Sequence, residues 1–135
     1  MNITHVHLLS VPVTDQDRAR DFYVDTLGLD LIADMPMGPG QRWVQVGPAG
    51  SATSITLVTW FDQMPAGSLS GLVLQTKDID GDCARLRAAG VELEGPRDAP
   101  WGRHAILRDP DGNGLVLAAP ANAPASAPST APATQ

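Results

Sequence analysis

The chain predicts an α+β fold of two tandem βαβββ modules, with curved sheets around a cleft and a helix on the outer face of each. Three observations predict it. A length of 135 residues allows one domain with a real core and argues against two. Two aspartates, Asp15 and Asp78, each stand at the start of a helical pattern that ends on a glycine, Gly28 or Gly90. Around each of these helices the strand signals fall in the same order, so the second half repeats the first as a duplicated supersecondary unit.

The elements follow in turn. "HVHLLSVPV" alternates polar with apolar residues and is rich in Val and Leu, as a half-buried strand is. Pro12 inside it points to an edge strand or a bulge. Asp15 caps a helix whose apolar positions Ala19, Phe22, Tyr23 and Leu27 recur at helical spacing, and Gly28 stops it. Strands are expected near Leu29 to Met35, Arg42 to Val46 and Ser54 to Trp60. The loop "PMGPGQ" and the turn "GPAGSA" separate them. In the second half, "GLVLQ" is a strand and Asp78 starts a helix carrying Ile79, Cys83 and Leu86. Gly90 ends that helix, "VELE" begins a strand, and "RHAILRD" and "GLVLAA" are strands joined by Asp-Pro-Asp-Gly-Asn. Each copy alone would expose one sheet face; two copies side by side would enclose a cleft. Residues 119–135, built only of Ala, Pro, Ser, Thr, Asn and Gln, read as a disordered tail.

Composition narrows the function. The formal charge of -6, with nine Lys and Arg scattered along the chain, leaves no basic footprint for nucleic acid or anionic membrane. Cys83 is the single cysteine, so no internal disulfide forms, and the N-terminus lacks the basic start and apolar run of a signal peptide. The expectation is a reduced, cytoplasmic protein without a membrane span.

The stretches "DQDRARDFYVDTLGL" and "KDIDGDCARLRAAGVELEGPRDAPWGRHAILRDPDGNGLVLAAP" together resemble the vicinal oxygen chelate superfamily of glyoxalases, bleomycin resistance proteins and extradiol dioxygenases. The resemblance implies one such domain over residues 1–118, with modules of about 1–62 and 68–118. It also implies a homodimer, and in metal-using members a divalent ion held by His, Glu or Gln from four strands. Imidazole and carboxylate suit such an ion, and an open position makes it a Lewis acid. The matching positions here are Leu8, Thr56 (Ile55 if the register slips), Gly71 and Val116, none a strong ligand. A bulge at Pro12 would turn His7 inward instead of Leu8, yet one His with Thr, Gly and Val makes no tight site. No metal and no cofactor are expected.

What remains is a lining for a small molecule. Trp43, Trp60 and Trp101 are each read most simply as core, but three indoles near one cleft would form stacking walls with N–H donors at their edges. Leu8, Val73 and Val116 add apolar lining; Ser10, Thr56 and Gln75 add polar handles. His104 is the histidine best placed to hydrogen-bond a ligand or to act as acid or base. Arg103 and His104 point to opposite faces, so only one lines the cleft. His5 and His7 read as structural residues near a strand end. The Gly, Pro and Met rich loops "MPMGPGQRW" and "FDQMPAGS" are connections, with lids as their functional alternative. The expected function is metal-free binding of an apolar or aromatic small molecule, as in antibiotic sequestration. The alternative is a glyoxalase-like lyase or isomerase, or a dioxygenase, using a divalent metal or His104. A regulatory module acting through its surface has no support beyond the tail.

Overall fold

Two capping aspartates set where the helices begin. The Asp15 carboxylate accepts the N–H groups of Asp17 and Arg18 at 2.9 and 3.1 Å, and Asp78 accepts that of Gly81 at 3.0 Å. These bonds satisfy donors that the first helical turn leaves open. In the computed structural model, which describes residues 1–120, the chain forms two units. The first comprises Met1–Ser70 together with Asp109–Asn113, and the second Gly71–Arg108 with the described residues from Gly114 to Pro120.

The first unit runs β1 (Leu8–Pro12), α1 (Gln16–Asp21), β2 (Asp30–Gly38), β3 (Gln41–Gly47) and β4 (Ser54–Val58). Its sheet has the order β1-β4-β3-β2, with β1 parallel to β4 and the other pairs antiparallel. The second unit runs β5 (Leu72–Gln75), α2 (Ile79–Ala88), β6 (Leu93–Ala99), β7 (Gly102–Arg108) and β8 (Gly114–Pro120). Its order β5-β8-β7-β6, again with one parallel pair, repeats that of the first unit strand for strand. The duplicated βαβββ plan expected from the sequence is therefore present.

One face of each sheet is covered by its helix. In the first unit Val11, Val44, Val46, Ile55 and Leu57 are buried on that side with Ala19 of α1. In the second, Ala105, Leu107, Leu115 and Leu117 are buried with Ile79, Cys83 and Leu86 of α2. Each fully buried Val or Leu contributes about 1.5–3 kcal/mol. Gln16 at the start of α1 ties it to the sheet: its Nε2 donates to the carbonyls of Arg42 at 2.7 Å and Leu57 at 2.8 Å. An ionic brace adds to this. Arg42 grips Asp34 through two bonds of 2.8 Å and reaches Asp17 of α1 at 2.7 Å, while Arg20 of α1 donates to Asp34 at 3.0 Å.

The first unit has a polar centre. The Asp109 carboxylate accepts the Tyr23 hydroxyl at 2.8 Å, Asn113 Nδ2 at 2.8 Å, and the backbone N–H groups of Asp111 and Asn113 at 2.9 Å each. Asn113 Nδ2 also donates to the Pro12 carbonyl at 2.8 Å, and its Oδ1 accepts the N–H of Leu69 at 3.0 Å. Tyr23 is fully buried. Burial first, and the neighbouring Asp109 charge second, push its phenol well above the usual range. Close by, Gly67 has φ +82, and a Cβ there would lie 2.2 Å from the Asp111 carbonyl oxygen, so only glycine fits.

Several expectations need correction. The helix after Asp15 leaves α geometry at Phe22 and continues as one π-turn, Phe22–Thr26, closed by the Leu27 N–H on the Phe22 carbonyl at 2.9 Å. β2 runs on to Gly38, so Pro36 and Met37 belong to a strand and not to a loop. β4 ends at Val58, which leaves Trp60 beyond the strand. β1 is an edge strand in unbroken register with β4 from Leu8 to Pro12, so Pro12 marks an edge and no bulge turns His7 inward. β8 extends through Ala119 and Pro120, paired with Arg103 and Gly102. The rest of the expected tail, 121–135, lies outside the described residues. No helix among the described residues is long and apolar enough to cross a membrane.

Two outcomes follow from these contacts. Replacing Tyr23 by Phe removes a donor from a buried carboxylate and should lower stability by about 1–3 kcal/mol, read by urea denaturation at neutral pH. Asp34, held by Arg42 and then by Arg20 against the opposing effect of burial, has its pKa lowered to about 2. A lowered folded-state pKa stabilises the fold above the unfolded value of about 4 and loses that contribution as pH falls toward 2. Asp34→Asn should therefore flatten the acid limb of a stability profile over that interval, and an unchanged slope would contradict the brace.

Candidate functional site

Strand parity decides which side chains oppose the helix-covered faces. In the first unit Ser10 is in register with Thr56, Thr56 with Gln45, and Met35 with Trp43. With alternate residues on alternate faces, Leu8, Ser10, Trp43, Gln45, Ser54 and Thr56 share the face away from α1. Polar groups there are joined in short chains. Ser10 Oγ and Thr56 Oγ1 lie 3.3 Å apart; Trp43 Nε1 donates to Gln45 Oε1 at 3.0 Å, and Gln45 Nε2 donates to Ser54 Oγ at 2.7 Å. Ser54 and Thr56 are buried, so these bonds satisfy groups that would otherwise be costly to desolvate.

Four of the first-unit residues singled out in the sequence, Leu8, Ser10, Trp43 and Thr56, thus stand on one sheet face. Trp60 reaches the same neighbourhood by another route. It follows β4 and, with Ser10 and the segment Phe61 to Met64, lines a cavity of about 470 Å³. The indole of Trp60 and the ring of Phe61 lie 6.1 Å apart and tilted by 52°. Gln45 went unmarked in the sequence, whereas Phe61, Asp62, Gln63 and Met64 fall in "FDQMPAGS", read there as a connection with a lid as its alternative. Gln45 alternates with Trp43 and was open to detection by parity, but the cavity role of the turn depends on how it folds back beside β1.

The second unit carries the remaining candidates. Val73 is in register with Val116, Gln75 and His104 with Ala118, and Ile106 with Val116. Val73, Gln75, His104, Ile106 and Val116 therefore share the face away from α2, with Val73 57% and Ile106 40% exposed. Ile106 was missed, although its parity with His104 marked it. Of Arg103 and His104, it is His104 that stands on the face away from α2. Arg103 donates to Asp80 of α2 at 2.9 Å and to Asp98 at 3.1 Å, which puts it on the helix side. Trp101 precedes β7 in the turn after β6, and its ring stacks on His104 at 4.8 Å and 33°. The Nδ1 atom of His104 is buried and has no hydrogen-bond partner among the described residues.

The positions matched to metal ligands carry little to bind an ion. Leu8 and Val116 have no donor atom, Gly71 has no side chain, and the Thr56 hydroxyl is engaged by Ser10. His5 and His7 precede β1, exposed, with rings 6.2 Å apart. Among the described residues no three His, Cys, Asp or Glu side chains group so as to hold a metal. The residues present do not fit a divalent centre of the kind the resemblance implies.

Comparison with known proteins agrees with the fold. The family model of the Glyoxalase/Bleomycin resistance protein/Dioxygenase superfamily matches residues 3–117. The chain is similar to TnmS3, described as an antibiotic binding protein from Streptomyces sp. CB03234, with 56% identity and a TM-score of 0.87. That similarity covers 90% of this chain and 99% of the other. It is also similar to a glyoxalase/bleomycin resistance protein from the same Streptomyces, with 54% identity, a TM-score of 0.79, and coverage of 84% and 99%. An uncharacterized protein, YetH of Bacillus subtilis (strain 168), is 34% identical over 119 residues, 85% of this chain and 98% of its own. With a family match over almost all of both repeats, and each repeat folded to the same strand order, this chain belongs to the Glyoxalase/Bleomycin resistance protein/Dioxygenase superfamily.

Proposed function

We propose that this protein is a metal-free binder of an apolar or aromatic small molecule, acting by sequestration, with an antibiotic as the ligand class. The observation that carries the reading is the replacement of every matched ligand position by Leu8, Thr56, Gly71 and Val116, beside exposed or half-buried aromatic rings. Sequestration needs affinity and stoichiometric amounts, and no nucleophile or Lewis acid. The likeness to TnmS3, described as an antibiotic binding protein, supports it.

The residues that would contact ligand are Leu8, Ser10, Trp43, Thr56 and Trp60 in the first unit. In the second they are Val73, Gln75, Trp101, His104 and Val116. Apolar walls with a few polar groups are the common make-up of small-molecule sites. The proposal includes residues 1–118 working as one domain, in the cytoplasm, as a homodimer. The enzymatic alternative, a glyoxalase-like lyase, isomerase or dioxygenase, would use a divalent metal or His104, whose buried Nδ1 has no hydrogen-bond partner among the described residues.

Titrating a panel of hydrophobic antibiotics against tryptophan emission should give saturable quenching near one ligand per chain, with the compound recovered unchanged. Purification without an affinity tag should leave far less than one divalent ion per chain by elemental analysis. Unchanged emission across the panel would sink the binding reading, and about one tightly held ion per chain would restore the metal enzyme.

A further inference from the structure

The cavity beside Trp60 has a chemical bias of its own. Its lining combines the aromatic and thioether side chains of Trp60, Phe61 and Met64 with the polar residues Ser10, Asp62 and Gln63. The last two occupy the middle of a tight turn closed by the Met64 N–H on the Phe61 carbonyl at 2.9 Å. That turn is anchored on both sides. Before it, the Val13 N–H bonds the Val58 carbonyl at 2.8 Å; after it, the Gly67 N–H bonds the Pro12 carbonyl at 3.2 Å. The backbone that carries Asp62 and Gln63 is thus held in place, and neither side chain takes a partner among the described residues.

Ser10 differs, since its hydroxyl is already engaged with Thr56. The cavity side chains that lack any partner among the described residues are therefore one carboxylate and one amide. A carboxylate favours a positive charge, and so do the faces of two aromatic rings. The chain's formal charge of -6 adds a long-range attraction of the same sign. The volume of about 470 Å³ lies inside the roughly 300–1,000 Å³ range of small-molecule sites.

We infer that the turn Phe61–Met64, with Trp60, forms a subsite that selects planar aromatic cations over neutral or anionic ligands of the same shape, through the Asp62 carboxylate. The inference rests on the small-molecule binding reading and adds a charge preference to it. Asp62 is exposed, so its contribution is modest and screened by salt.

The test compares two tricyclic probes, the cation proflavine and the neutral 9-anthracenemethanol, on the full chain. Wild type should bind proflavine more tightly. Asp62→Asn, a near-isosteric change at an exposed turn position, should weaken proflavine about threefold and leave the neutral probe within about twofold. Raising salt to about 0.5 M should erase the difference between wild type and variant. Trp60→Phe should remove most of the emission change that proflavine causes. Equal effects of Asp62→Asn on both probes, or an undiminished emission change in Trp60→Phe, would overturn the subsite. Absence of proflavine binding would overturn it too. If 9-anthracenemethanol still quenched emission then, only the charge preference would have failed; silence with both probes and with the antibiotic panel would remove the binding reading itself.

Discussion

The buried carboxylate of Asp109 is the interaction on which the first unit depends. An ion out of water is tolerable only when its lone pairs are met, and here a phenol, a primary amide and two backbone N–H groups meet them. The partners come from α1's continuation and from the turn 109–113 itself. Asn113 then carries the same network to the Pro12 carbonyl of β1 and to the Leu69 N–H. The end of β1, the helical segment and the chain leading into the second repeat are all positioned from this one group. So is the cavity beside Trp60, whose turn is followed directly by the segment that Gly67 and Leu69 tie down.

Much of the fold was readable in the residues because its signals are local. Asp15 and Asp78 cap through their own side chains, Gly28 and Gly90 adopt the positive φ expected of stops, and strand alternation needs no distant partner. Misreadings fell where long-range contacts override local preference. Pro36 and Met37 look like loop residues, yet pairing with β3 carries β2 to Gly38. The π-turn at Phe22 has no signature in a helical apolar pattern, and Tyr23, committed to Asp109, lies in its first part.

The candidate site was legible as a pair of faces and illegible as chemistry. Leu8, Ser10, Thr56, Val73 and Val116 stand on the faces opposite the helices, where a two-residue period puts them. Which polar groups remain free is a tertiary matter. Trp43 spends its N–H on Gln45 and Ser10 meets Thr56, whereas among the described residues Asp62 and Gln63 have no partner and His104 Nδ1 is buried without one. A repeat that places equivalent strands identically can thus give its two halves different reactive surfaces.

The membership of residues 109–113 also bears on descent. A protein made by doubling a gene is easily pictured as two self-sufficient halves, each able to live alone. Here the first repeat keeps, at its polar heart, five residues encoded inside the second. A message cut after Ser70 would strand a phenol, a proline carbonyl and a leucine N–H without the groups that now answer them. The boundary of the folded unit therefore does not coincide with the boundary of the sequence repeat.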